Sequence, residues 1–362
     1  MVKWGNAFIG SHAKGEEEVQ PGLRIARFAK SVIGARLDLK TPVEVGKSLY
    51  PKDLSLHKAL GEATGAAGGF IVPPEYAAEI IPFLRDMAVV RKAGARTVPM
   101  NSNTLMIPRG AAGASAAYVG ENVNITATEP GLGMIQMSAR KLAAIVPVSN
   151  ELIRDSSPSA DAWVRDDLVQ ALATREDLAF IRDDGTQYKP KGIRFWVDAA
   201  GLTTANVTVN ITNTLADLKT SLRKFKQGRK GKIITPAWFM STRTEQYLAH
   251  LVTGAPERYF FRDEMLTGKL FGYPYFVTDQ IPDNLGAGAD ESELYLVDMF
   301  EAIIGENMAL ELAVSQEAAY DEGGTLRAAF SLDQTVLRAI ARHDFALRYG
   351  RAAHILTGVK WS

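Results

Sequence analysis

One stretch limits what this chain can become: from Ser157 to Gly185 a helical pattern runs with no internal glycine and only Pro158 at its start. The Ser157 hydroxyl suits an N-cap, where it accepts a bond from a first-turn amide. Pro158 suits the first helical position, where its missing N–H costs nothing. Val164, Leu168, Leu172 and Ala179 recur at helical spacing, flanked by Val169, Leu178 and Ile181. Gly185 is placed to end the run in a left-handed turn. At 1.5 Å per residue the span from Pro158 to Asp184 predicts a rod of roughly 40 Å. Globular helices average about 11–12 residues, so a rod of this length is a scaffold that other segments pack across. Its charged residues, Arg165, Asp166, Asp167, Arg175, Glu176 and Asp177, read as a solvated face.

The segments on either side are mixed helix and strand. Residues 1–67 carry ten Lys/Arg against seven Asp/Glu and read as an arm with one short helix, whose Ile25, Phe28, Ala29, Val32 and Ile33 share a face opposite Arg24, Arg27 and Lys30. From Phe70, FIVPPEYAAEIIPFLRD predicts an extended entry and an amphipathic helix, and VVRKAGARTVPM predicts a strand. TLMIP and MIQMS, on either side of a Gly/Ala/Asn/Thr-rich tip, predict an extended hairpin over 101–137. A tip that long belongs to something outside its own domain. KLAAIVPVS predicts a strand and SNELIRDS a short helix. Downstream come a polar β segment GLTTANVTVNIT, a helix TLADLKTSLRKFKQG, a buried strand Lys232–Thr235, and a turn and helix over Pro236–Leu251. GKLFGYPYFVT, ELYLVDM, AIIGE and LELAVS follow as strands, AYDEGG as a polar turn, and TVLRAIARHDFALRY as a closing alternation.

No catalytic constellation emerges. The five histidines, His12, His57, His250, His343 and His354, never pair at i, i+3 or i, i+4, so no helical metal site is written here. His343 and His354 fall in strands, which favours a structural role. There are no cysteines, which excludes disulfides, Cys-ligated metal and thiol catalysis. VGKS at 45–48 echoes the end of a phosphate-binding loop, but Thr41 and Pro42 stand where its glycine and strand should be. GASAA at 113–117 lacks the second glycine of a nucleophile elbow. Asp183 and Asp184 beside Arg182 read as the rod's polar terminus. The 41 basic and 41 acidic side chains cancel, so no global field points to nucleic acid or membrane. No apolar run approaches the roughly 20 residues that span a bilayer. The one local charge concentration is Lys219, Arg223, Lys224, Lys226, Arg229, Lys230 and Lys232, with no acid between Asp217 and Glu245. It reads as a solvated helix face with a basic turn, or as a polyanion-binding cluster facing DNA. The residues alone favour a binding or structural protein over an enzyme.

Read in order, several landmarks resemble the major capsid proteins of tailed bacteriophages with the Hong Kong 97-like fold. They are GGFIVP (68–73), YVGEN (118–122), KLAAIVPVSNELIRDS (141–156), DGTQYKPKGI (184–193), PAWFMSTRTEQYL (236–248), GKLFGYPYFVTDQIP (268–282) and RAIARHDFALRYGRAAHIL (338–356). The resemblance implies an α+β fold with an N-terminal arm (1–67) and an extended β-hairpin loop (101–137). It implies a peripheral domain (68–100, 138–196 and about 300–345) carrying a long spine helix, about 158–184. An axial domain takes 197–299 and about 346–362. It further implies hexamers and pentamers of this chain in an icosahedral shell around double-stranded DNA. Portal and scaffolding proteins are implied partners, with a maturation protease and a decoration protein in some relatives. Packaged DNA would be contacted non-specifically, with no membrane and no cofactor. The implied location is the virion capsid, after synthesis and assembly in the bacterial host cytoplasm. In that setting some of the rod's charges are expected to pair between subunits. The competing readings are an encapsulin-like compartment shell and, from another class, a DNA-binding protein using the 219–232 cluster.

Two departures from the family pattern matter. Some relatives join subunits by an isopeptide bond between a loop lysine and a neighbour's asparagine. This chain has no lysine between Lys92 and Lys141, and Asp333 stands at the asparagine position, so a non-covalent shell is expected. The 67-residue N-terminal region is also too short for a full scaffolding segment, so scaffolding is expected from a separate protein or from a portion already removed.

Overall fold

A computed structural model describes residues 27–28, 30–32, 34–35, 40–62, 70–71, 88–110, 118, 124, 131–151, 158–229, 232–253 and 258–361. The helix predicted within FIVPPEYAAEIIPFLRD and the GASAA motif at 113–117 lie outside the described residues. The chain packs as two compact units, one from Met1–Leu84, Ala143–Leu172 and Ala309–Ala341, the other from Arg85–Leu142, Ala173–Met308 and Arg342–Ser362.

In the first unit, Thr41 builds a capping box. Its hydroxyl accepts from the Glu44 amide at 3.3 Å, and the Glu44 carboxylate accepts from the Thr41 amide at 3.0 Å. Pro42–Leu49 follows as a helix, so the VGKS echo is helical and not a phosphate loop. Asp53 accepts from the Leu56 amide to start a second helix, Leu54–Glu62. The pair packs closely because Gly46 has no side chain: a Cβ there would lie 2.6 Å from Leu60 Cδ1. Phe28 and Val32 are buried as the arm pattern predicts, and Arg27 pairs with Asp53 at 3.2 Å. Ile25, Ala29 and Ile33 lie outside the described residues. AYDEGG becomes a hairpin, Ala319–Glu322 against Thr325–Ala328, turned by Gly323 and Gly324 with φ of 61° and 87°.

The second unit is built on a six-stranded mixed sheet. Its order is Lys269–Leu270, Tyr273–Val277, Pro236–Met240, Ser292–Asp298, Ala353–Val359 and Leu202–Thr204. Strand side chains alternate between faces, and here each face has its own core. Trp238, Met240, Leu294, Leu296 and Leu356 pack with Leu218 and Phe225 of helix Ile211–Gly228. Ala237, Phe239, Tyr295, Val297 and Ile355 pack with Ala179, Phe180, Ile181 and Ile193. Ser292–Asp298 is buried at every position. Residues Thr104–Gly110 and Leu132–Ser138 pair antiparallel as the predicted hairpin stem.

The rod is a helix, Pro158–Arg182, of 25 residues. It ends two residues earlier than expected, and Gly185 (φ 77°) turns the following loop instead of capping it. That loop closes through a bridge between Asp184 and Lys191 and brings Gly192 against the helix end. A Cβ at 192 would sit 2.7 Å from the Ala179 carbonyl oxygen and the Arg182 nitrogen, both backbone atoms that cannot swing aside. Gly192→Ala is therefore expected to destabilise the fold by about 1–3 kcal/mol, read as a lower urea midpoint with unchanged slope.

Three local expectations are corrected. Val89–Lys92 is a short helix, not strand, because the carboxylate of Asp177 accepts from the Val89 and Val90 amides at 2.7 and 3.0 Å. The buried strand is Pro236–Met240, not Lys232–Thr235, whose Ile234 and Thr235 amides bond the Asp298 carboxylate instead of a neighbouring strand. Proline is allowed as a strand's first residue, where its missing donor is not needed. Of GLTTANVTVNIT only Leu202–Thr204 is strand, since Asn210 caps the next helix and Asn206 bonds Asp217. AIIGE and LELAVS lie in one continuous strand, Ala302–Ser315.

Candidate interaction surfaces

Several buried polar groups hold the fold together. Arg91 donates to Glu176 at 2.6 Å and to Glu306 at 2.5 Å, joining three segments within the second unit. Burial works against the Arg91 charge, but the two carboxylates outweigh it and hold its pKa raised. Glu176 is itself pushed upward by burial, against the pull of Arg91. Asp177 is pushed up to about 6 by burial, opposed by the amides it caps. The solvated-face reading is thus wrong for Glu176 and Asp177, which are 0% and 4% exposed and find their partners inside the chain. Arg175 pairs internally too, with Asp183 at 2.7 Å. No local signal foretold the partners of Glu176 and Asp177, which lie 85 to 88 residues away.

His343 and His354 are buried in the fold, and His12 lies outside the described residues. His343 is buried edge-on to Phe180, ring centroids 5.2 Å apart, and its pKa is pushed down to about 4 by burial, then by Arg91. His354 lies 2.9 Å from the Thr203 hydroxyl and is also pushed down to about 4, by burial first and then by Lys224 and Arg351. His57 contacts the Tyr50 carbonyl and His250 the Gln246 carbonyl. Among the described residues no group of three or more acidic or histidine side chains gathers as a metal seat. No described helix is long and apolar enough to cross a membrane.

The basic run divides by role. Arg229 is an internal strut, donating to Glu301 at 2.5 Å and lying 3.7 Å from Asp298. Lys224 is half-buried and donates to the Thr203 hydroxyl at 2.9 Å. Lys219, Arg223, Lys226 and Lys232 are exposed, and Lys230 lies outside the described residues. Asp217, the helix's only acid, is buried and bonded to Asn206.

Large apolar side chains are left bare on several elements. On the hairpin stem Leu105, Ile107, Ile135 and Met137 turn inward against Met100, Ile303 and Ala346. On the opposite face Met106 and Met134 are 58% and 71% exposed, and Leu132 is 84% exposed at the stem's end. Tyr188 and Phe195 after the long helix, Tyr259, Phe260 and Leu266 between strands Pro236–Met240 and Lys269–Leu270, and Leu326 and Phe330 in the first unit are also bare. A soluble monomer seldom exposes extended apolar patches. The signal was present in TLMIP: apolar residues at successive positions make a strand apolar on both faces.

In the first unit Asp333 adopts a left-handed conformation (φ 47°) and binds inward. Its carboxylate accepts from the Asn150 side-chain amide at 2.6 Å, and Thr335 donates to the same Asn150.

Comparison with known proteins agrees with this architecture. The phage capsid family matches residues 68–358. The major capsid protein of Klebsiella oxytoca phage phiKO2 is 33% identical over 350 residues, 96% of this chain and 81% of that protein. A capsid polyprotein of Pseudomonas phage PAJU2 is 27% identical over 378 residues, 96% of this chain and 56% of that one. Among solved structures, the capsid of a native GTA particle superposes with a TM-score of 0.57 at 19% identity, over 75% of this chain and 90% of that one. The Mycobacterium phage Bobi structure gives 0.56 at 20% identity, over 75% and 89%. The structural likenesses show the Hong Kong 97-like fold. With that fold, bare apolar faces and a family match across most of its length, the chain belongs to the phage capsid family.

Proposed function

We propose that this chain is the major capsid protein of a tailed bacteriophage and assembles as hexamers and pentamers into an icosahedral shell around double-stranded DNA. The match across residues 68–358 carries the reading, and the bare apolar faces support it, since an obligate assembly buries such surface between copies. The role is structural. Residues 1–67 form the arm and 101–137 the extended loop. The axial domain is 197–299 with about 346–362, which supply every strand of the six-stranded sheet. The peripheral domain is 68–100, 138–196 and about 300–345. Assembly takes place in the host cytoplasm with a portal and a scaffolding protein, and a maturation protease and a decoration protein are further candidate partners. Expression of the full chain with its scaffolding partner should give closed particles by electron microscopy. Virions should hold nuclease-protected DNA in the shell. A chain that stays monomeric with every partner overturns the reading.

The shell is held non-covalently. The sequence has no lysine between Lys92 and Lys141, and Asp333 is committed to Asn150 within its own subunit. Particles boiled in detergent should run as a single band near the 39.4 kDa monomer. A ladder of ring-sized species refutes the expectation.

A further inference from the structure

Helix Ile211–Gly228 buries Thr214, Asp217, Leu218, Ser221 and Phe225. On the other side Lys219, Arg223 and Lys226 stand at i, i+4 and i+7 and are all exposed. Residues at this spacing lie in one row, neighbours about 5–6 Å apart, so the three cations form a ladder about 10 Å long. Among the described residues none of them has an ion pair with a carboxylate. Asp217, the acid that could balance them, is turned inward and bonded to Asn206. Lys226 lies over the Tyr273 ring at 5.9 Å, which leaves its ammonium open to a further partner.

A solvated surface does not account for the row well. Helix C-termini favour cations, but that effect falls off within the last turn, and Lys219 is the ninth residue of an 18-residue helix. Exposed helices also usually intersperse acids and bases, whereas this face has one sign. The neighbours Lys224 and Arg229, already bonded to Thr203 and Glu301, fix the helix without neutralising the row. A polyanion with closely spaced charges fits, and duplex DNA presents one about every 1.7 Å of axis.

We propose that Lys219, Arg223 and Lys226 form a backbone-phosphate seat for duplex DNA, independent of base sequence. The proposal deepens the shell reading and rests on it for the source of the DNA. Lys224 and Arg229 belong to the support beneath the seat, not to the seat itself.

The test is a triple variant, Lys219→Gln, Arg223→Gln and Lys226→Gln, in the full chain, which keeps the hydrogen bonds of Asp217, Lys224 and Arg229 and removes the Lys226–Tyr273 ring contact. Unassembled full-length protein is titrated with a short mixed-sequence fluorescent duplex at several salt concentrations. Since each phosphate contact contributes about 0.9 to the slope of log affinity against log salt, the variant should lose a slope of about 2–3. Removing three other exposed charges, Lys47, Lys58 and Lys189, should leave it unchanged. Particles of the triple variant should form at normal yield and hold less DNA. An unchanged slope overturns the proposal. So does loss of particles with DNA affinity intact, which would make the row a contact between copies. If the slope falls but wild-type protein never forms a shell, the seat stands and the shell reading fails.

Discussion

Replacing His343 with glutamine is expected to cut the fold's acid sensitivity by about 3 kcal/mol between pH 7 and pH 4. Burial, and then the nearby Arg91, lowers this ring's pKa from 6.5 to about 4. The folded chain therefore keeps the ring neutral while the unfolded chain takes up a proton. The stability this represents is complete above 6.5 and is lost as the pH falls toward 4. His354, lowered to about 4 by burial and then by Lys224 and Arg351, acts in the same direction. Asp177 acts in the opposite one. Its pKa is raised from 3.8 to about 6, so its contribution is complete below 3.8 and lost as pH rises past 6. The test therefore compares wild type with His343→Gln by urea unfolding at several pH values, where the Asp177 contribution cancels. Parallel stability curves would falsify the assignment, whatever the absolute stabilities.

Arg91→Met should be the more damaging single change, costing about 3–5 kcal/mol. It leaves Glu176, 0% exposed, without its countercharge, while Glu306 is partly exposed and can hydrate. If the loss comes from the stranded charge, adding Glu176→Gln to Arg91→Met should restore much of it. A double-mutant cycle by chemical denaturation measures that coupling. Additive losses would instead mean that packing of the Arg91 stem matters more than its charge.

These residues also mark where the sequence could be read and where it could not. The long helix was legible because its signals are local: Ser157 before Pro158, then unbroken spacing to Arg182. The hairpin was legible from the strand-like runs TLMIP and MIQMS on either side of a Gly/Ala/Asn/Thr-rich tip, and Ile107 pairs with Ile135. Glu176 and Asp177 were misread because a carboxylate on a helix looks the same whether it meets water or an arginine 85 residues earlier. Val89–Lys92 was misread for the same reason, its cap being supplied by Asp177 and not by a neighbour in sequence. The strand at Pro236 was placed too early because β-branched Ile233–Ile234 look like strand, whereas Asp298 holds that turn open. Of the basic cluster, sequence gave the charge but not the division of labour. Arg229 and Lys224 look identical to their neighbours until Glu301 and Thr203 are placed beside them.

The six-stranded sheet has a consequence for timing. Ala353–Val359 lies between Ser292–Asp298 and Leu202–Thr204, so the last of the sheet's strands to be made fills a place inside it. Until residues 353–359 leave the ribosome, the central strand has one unpaired edge and both cores lack a wall, Ile355 on one face and Leu356 on the other. Domains fold as units, and synthesis runs at about 5–20 residues per second. The sheet and the two cores it divides therefore close only once residue 359 has been made.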